Sequence, residues 1–208
     1  MTMFRNLLRP AIVLTLLLCV LTGLAYPGVV TALAQLLFPR QANGSLAEAG
    51  GRVVGSELIG QAFTRPEYFH PRPSAAGTGY DATASAGTNK GPTDTRLADT
   101  LIAGRVDSLV AAGVVTKGRV PSDMVTASAS GLDPHISPAN ARLQVSRVAR
   151  ARGGDSAAIR QLVDARTEGR QFGFFGEPRV NVLLLNIALD SLFPRPANAG
   201  TTPPATPR

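Results

Sequence analysis

The chain has 208 residues, 44% of them hydrophobic, and its 21 Lys+Arg against 14 Asp+Glu give a formal net charge of +7. The apolar share excludes a wholly disordered chain, while 16 Pro and 21 Gly argue for many loops and few long regular elements. With no Trp, a single Cys (Cys19) and two His (His70 and His135), the composition argues against base-stacking platforms, a disulfide framework, Cys-x-x-Cys sites and a histidine metal cage.

No charged residue lies between Arg9 and Arg40, and Ala11 to Phe38 is dominated by Leu, Val and Ala. About 20 helical residues cross the hydrocarbon core of a bilayer, so this stretch predicts a span at roughly residues 11–34. Tyr26 and Phe38 suit the interface. A cleaved signal peptide is the rival reading, with Ala32-Leu33-Ala34 as its small-residue site. Against it, the apolar stretch is too long for an ordinary signal core and continues to Leu36, Leu37 and Phe38. Leu18 before Cys19 disfavours a lipoprotein anchor. Arg5 and Arg9 precede the stretch and only Arg40 follows it closely, so the positive-inside bias puts residues 1–10 in the cytoplasm and everything past Arg40 outside. Subtracting Arg5 and Arg9 leaves +5 on the remainder, scattered rather than gathered in a nucleic-acid-binding stripe.

Gln41 to Gly51 is a polar, small-residue exit from the span, and Arg52 to Gly60 predicts two short strands broken near Gly55. Phe63 to Phe69 is an aromatic loop. Pro71 to Pro92 has the composition either of a disordered linker or of an ordered functional loop. Leu97, Leu101, Ile102, Val106, Leu109 and Val110 recur at spacings of three and four, which predicts a helix over 95–112 stopped at Gly113. A short strand follows Pro121 within Val120 to Thr126, and Ser128 to Pro138 is loop. Ser137-Pro138 opens a helix ending at Gly153-Gly154, and Asp155 caps another reaching about Thr167. After a turn at Phe172 to Pro178, Val180 to Phe193 reads as a short strand entering a final helix. Asn181, Asn186 and Asp190 mark that helix's polar side. Five Pro in residues 194–208 predict a disordered tail. The fold class is therefore α+β: one N-terminal transmembrane helix, then a mixed helix/sheet extracytoplasmic domain over 40–193.

Ser128, Ser130, Asp133 and His135 lie within eight residues, the types a serine hydrolase needs, but neither serine sits in a Gly-x-Ser-x-Gly elbow. A membrane-anchored extracytoplasmic serine hydrolase is therefore the alternative reading. Gly87 to Thr93 fails the phosphate-loop pattern, because Asn89 precedes Lys90 and Gly91-Pro92 follows it. Asp81, Asp94 and Asp99 are too dispersed for a calcium loop.

Several strings carry a resemblance. They are Phe38-Pro39-Arg40-Gln41-Ala42-Asn43-Gly44-Ser45-Leu46, Gly55-Ser56-Glu57-Leu58-Ile59-Gly60-Gln61 and Tyr68-Phe69-His70-Pro71-Arg72-Pro73-Ser74. Further along are Val125-Thr126-Ala127-Ser128, Ser130-Gly131-Leu132-Asp133-Pro134-His135-Ile136-Ser137-Pro138, Gln144, Arg147-Val148-Ala149, and Gly176-Glu177-Pro178-Arg179-Val180-Asn181-Val182-Leu183 with Leu185-Asn186 and Leu189-Asp190. In this order, and over nearly the whole chain to about Leu192, they resemble the C subunit of the bacterial Kdp potassium-transporting ATPase.

The resemblance implies a single-pass inner-membrane subunit without catalytic residues of its own. Its implied partners are a channel-like potassium-binding subunit, a P-type ATPase subunit and a small membrane peptide. It further implies a catalytic chaperone that raises the pump's affinity for ATP, so ATP enters at the level of the complex and no cofactor or metal is assigned to this chain. Since the charge bias puts the domain outside and ATP is cytoplasmic, any effect on ATP has to be indirect. The resemblance assigns no site, and the residues expected to act as partner or regulatory loops are Tyr68, Phe69, His70 and Arg72 together with Ser128, Ser130, Asp133 and His135.

Overall fold

The computed structural model describes residues 2–194 apart from 92 and 117. The tail expected to be disordered lies, from residue 195 on, outside the described residues. The chain divides into two compact units, residues 1–46 and 47–208.

In the first unit, α1 (Thr2–Val20), a π-helical turn (Leu21–Ala25) and α2 (Tyr26–Leu37) run on without a break, followed by the short α3 (Pro39–Ala42). From Asn6 to Leu37 this helix is long and apolar enough to cross a membrane. At about 1.5 Å per residue its 32 residues exceed the bilayer's hydrocarbon thickness. Inside it, the Thr22 hydroxyl donates to the Leu18 carbonyl at 2.7 Å, next to the widened turn.

Residues 46–56 form a hairpin of β1 (Leu46–Ala49) and β2 (Arg52–Ser56). One strand thus falls where only a polar exit was expected, and a single strand replaces the two predicted over 52–60. The tight turn at Gly50 and Gly51, both at positive φ, lets 46–49 fold back and pair. The helix expected over 95–112 is present as a π-helical stretch (Arg96–Ile102) running into α4 (Ala103–Ala111). None of its residues is fully buried.

The strand expected after Pro121 is instead the one-turn helix α5 (Ser122–Val125). The turn aims the Asp123 carboxylate at three donors: the Ser137 backbone N–H (2.7 Å), the Ser137 hydroxyl (3.0 Å) and the Asn140 side-chain amide (3.0 Å). These bonds outweigh the weak strand preference of so short a segment.

The core packs three helices on a three-stranded antiparallel sheet ordered β3-β5-β4: β3 (His135–Ile136), α6 (Pro138–Arg152), α7 (Ser156–Ala165), β4 (Thr167–Glu168), β5 (Arg179–Asn181) and α8 (Val182–Leu192). In register, His135 faces Asn181, Ile136 and Thr167 both face Val180, and Glu168 faces Arg179. The predicted caps are in place. Ser137 Oγ accepts from the Asn140 N–H with Pro138 at the first helical position, Gly153 closes α6 at φ +63°, and Asp155 accepts from Ala157 and Ala158. Residues 135–136 and 167–168, expected as loop and helix end, are strands because β5 runs between them and both edges of it need partners.

Val145 and Val148 of α6, Ile159 and Val163 of α7, Leu185 and Leu189 of α8 and Val180 of β5 fill the core with Phe69 from a loop. Truncating Leu185, which is fully buried, leaves a cavity and costs about 2–5 kcal/mol. Leu185→Ala is therefore expected to lower the urea midpoint sharply at unchanged m-value, whereas Leu58→Ala, at a 61% exposed position, changes stability by about 0.5 kcal/mol or less.

Candidate functional site

The loop Glu67 to Ser74 contains Pro71 and Pro73, which supply no N–H and so keep it out of a sheet. Yet it inserts Phe69 fully into the core, so its buried backbone groups need partners from side chains. Asn186 of α8 accepts from the Phe69 N–H (2.9 Å) and donates to the Phe69 carbonyl (3.0 Å). Gln144 of α6 does the same for His70, at 2.7 and 3.0 Å. Two side-chain amides thus stand in for a neighbouring strand. Asn186, expected on the helix's polar side, is polar but faces this loop and is almost wholly buried.

Two arginines of α6 hold the loop's start. Arg152, its side chain 1% exposed, donates to the carbonyls of Glu67 (2.8 Å) and Phe193 (2.6 Å) and to Asp190 (2.8 Å). Its guanidinium lies 5.1 Å over the Tyr68 ring, and the Tyr68 hydroxyl donates to the same Asp190 at 2.9 Å. Such complete pairing is what a buried charge requires. Arg147 donates to the Pro66 carbonyl (2.6 Å) and to Gln144 (2.6 Å), and lies 3.4 Å from His70 Nε2.

The second half of the loop meets the segment 127–133. Arg72 donates to Asp133 (3.1 Å) and to the Ala127 carbonyl (3.4 Å). The Ser74 hydroxyl donates to the Gly131 carbonyl (2.7 Å) and accepts from Tyr80 N–H (2.8 Å), and the Tyr80 hydroxyl donates to the Arg72 carbonyl. Gly131 sits at φ +68°, and a Cβ there would come within 2.5 Å of the Ala86 carbonyl and 2.7 Å of the Ala76 nitrogen. Only glycine fits where these segments cross. The Ala86 N–H also donates to the Ser130 carbonyl at 3.0 Å. Of the two readings of 71–92, the ordered loop is therefore the one its described residues support.

The two expected loops are thus brought together, with Arg72 and Asp133 at the junction. Asp133 Oδ1 accepts from the His135 N–H at 2.9 Å and lies 3.4 Å from His135 Nδ1. Burial works against the Asp133 charge, but the hydrogen bonds from His135 and the Arg72 guanidinium outweigh it and hold the carboxyl below its usual range. Burial, with Asp133 nearby, pushes the Tyr80 phenol well up.

Ser130 Oγ accepts from the Leu132 N–H (3.1 Å) and lies 3.5 Å from Ser128 Oγ. No described hydrogen bond joins either hydroxyl to a histidine ring, so the geometry gives the hydrolase reading no nucleophile–base pair. No cluster of three metal-ligating side chains occurs among the described residues. Ser128 instead lines an open groove of about 730 Å³ between 86–91 and 127–129, with Lys90 paired to Asp94 at 2.7 Å. What the described side chains do form is a cross-linked, partly exposed junction of two loops. Gln144, Arg147, Arg152 and Asn186, which hold the first of these loops, fell outside the expected site residues. Gln144, Arg147 and Asn186 stood among the strings that carry the resemblance, and a further signal was polar side chains at spacings of three to five on helices whose other residues face the core.

Residues 8–191 match the family described as K+-transporting ATPase, c chain, KdpC. Similar proteins include the potassium-transporting ATPase KdpC subunit of Gemmatimonas aurantiaca, 65% identical over 89% of this chain and 92% of its own. That of Rhodospirillum rubrum is 58% identical over 90% and 96%, and that of Myxococcus xanthus 61% over 84% and 82%.

Burial and the nearby Arg147 charge lower the His70 pKa below 6.5, against the opposing pull of its bond to the Arg65 carbonyl. A histidine held neutral in the fold but protonated in the unfolded chain costs stability as pH falls. The loss is expected to begin near the unfolded value of about 6.5 and to level off once pH passes the lower folded value. In melting curves across this window, His70→Gln is expected to lose less stability on acidification than the parent. Parallel curves would show that His70 does not titrate differently on folding.

Proposed function

Because the chain belongs to the KdpC family, the c chain of K+-transporting ATPases, we propose that it is a non-catalytic accessory subunit of a high-affinity, ATP-driven potassium import complex. In this reading it supports assembly and acts as a catalytic chaperone, raising the ATP affinity of a P-type ATPase subunit. Its further partners are a channel-like potassium-binding subunit and a small membrane peptide. The observation that carries the reading is family membership over residues 8–191 combined with an apolar helix long enough to anchor the chain.

The anchor stays uncleaved in the inner membrane, spanning at about residues 11–34. Residues 1–10 are cytoplasmic and 40–193 form the extracytoplasmic domain, in keeping with Arg5 and Arg9 before the helix and Arg40 after it. Direct contact between this domain and cytoplasmic ATP is then excluded by the membrane. The domain acts by binding one state of the complex better than another, a coupling of about 1–3 kcal/mol, or roughly 5–150-fold in affinity. Residues 68–74 and 128–137 are proposed as the partner or regulatory surface. Arg72, Asp133 and His135 are each about a quarter exposed on a stiffened support, so binding through them orders little that is not already ordered.

Two measurements test this. Protease added to intact spheroplasts is expected to remove everything beyond about residue 40, and full protection overturns the orientation. In the purified complex, Asp133→Ala with His135→Ala is expected to raise the KM for ATP about fivefold or more, or to weaken assembly to a similar degree. The chain's own melting temperature should fall by no more than about 4 °C. A large drop in melting temperature with unaltered ATP kinetics would make these residues structural only.

A further inference from the structure

The β4–β5 hairpin carries an aromatic tip that the domain's own packing does not use. Phe172, Phe174 and Phe175 are 87%, 65% and 58% exposed. Together they leave on the order of 400 Å² of aromatic surface in water, as large as the largest apolar patch on a typical monomer. The tip is braced. Gln171 and Phe175 exchange two backbone hydrogen bonds of 2.9 Å, and the Gly173 N–H donates to the Arg170 carbonyl at 3.1 Å. The rings of Phe174 and Phe175 pack 4.2 Å apart. The strands below run straight into the core through the fully buried Val180. Phe172 even holds a positive φ of 53°, a conformation bulky residues adopt at a cost.

The surrounding charge says what kind of surface this fits. Arg170 pairs with Glu177 at 2.7 Å and Arg179 with Glu168 at 2.9 Å. The rim is therefore neutral, with both guanidinium groups matched. A bilayer-seeking tip presents unmatched cations to anionic headgroups, which is not the case here. A second copy fits no better, because one such patch per chain falls well short of the roughly 800 Å² per partner that a stable dimer buries. An aromatic cluster inside a neutral polar rim is the anatomy of a protein-docking anchor. The geometry points to docking of the 172–175 tip in a concave, uncharged apolar pocket on another subunit of the same ATPase, at a place separate from the Arg72–Asp133 junction. This rests on the accessory-subunit reading above.

The test is a photo-crosslinking phenylalanine analogue (p-benzoylphenylalanine) at Phe172 of the full chain, coexpressed with the complex and irradiated in native membranes. The control carries the same probe at Arg160, an exposed position on α7. The expected result is a covalent adduct with one other ATPase subunit, at least about tenfold stronger from position 172 than from 160. Adducts only with lipid or with a second copy of this chain, no adduct, or equal yield from both positions overturns the docking inference alone. Failure of the chain to copurify with the ATPase before irradiation overturns the accessory-subunit reading, and this inference with it.

Discussion

A backbone that enters the core outside any strand has to be given hydrogen bonds by side chains, and the C-terminal unit is arranged around that need. Phe69 fills the core from a proline-flanked loop. Its amide groups and those of His70 would be stranded if α6 and α8 did not present Gln144 and Asn186 at the right height. Each buried group left without a partner costs about 1–3 kcal/mol, comparable to a good part of a domain's net stability. The two helices must therefore keep their separation and rotation to within hydrogen-bond tolerance. The short strands between them, two or three residues each, could not enforce that alone.

Charge supports the same construction. Arg152 is buried, yet its donors reach two carbonyls and a carboxylate, and the Tyr68 ring covers its face. Removing any one partner would leave part of a buried guanidinium unpaired, a larger loss than that of an exposed ion pair. The exposed Arg142–Asp164 pair joining α6 to α7 contributes far less, since water and salt screen it. Stability and rigidity here come from a few fully paired buried polar groups set into an apolar core.

That rigidity reaches the surface by way of Arg72, Ser74 and Gly131, where the proline-flanked loop crosses the segment before β3. The crossing leaves no room for a side chain at Gly131 and fixes Asp133 and His135 at the edge. The effect on ATP affinity proposed above requires that the chain hold a partner in one state more firmly than in another. Preorganised loops and a braced aromatic tip suit that task, because neither gives up much conformational entropy on docking.

Local patterns made much of this legible in the sequence. An uncharged run of leucines and valines declares a long apolar helix, Ser137-Pro138 and Gly153 delimit α6, and Asp155 opens α7, because caps and hydrophobic periods depend only on near neighbours. The α+β class followed from those elements, and the two loops stood out as unusual strings. Pairing was not legible. Nothing local in Leu46 to Ala49, His135-Ile136 or Thr167-Glu168 announces a strand, since two- to four-residue strands exist only where a partner's free edge lies alongside. Asp123 turned an expected strand into a helical turn through donors 14 and 17 residues away. Gln144 and Asn186 occupy polar positions on their helices, and only the arrival of His70 and Phe69, 74 and 117 residues distant respectively, makes them the clamps of the fold. The sequence by itself determined where the capped helices start and stop; tertiary structure alone decided which short strands form and which polar groups meet, because pairing between distant segments has no local signature.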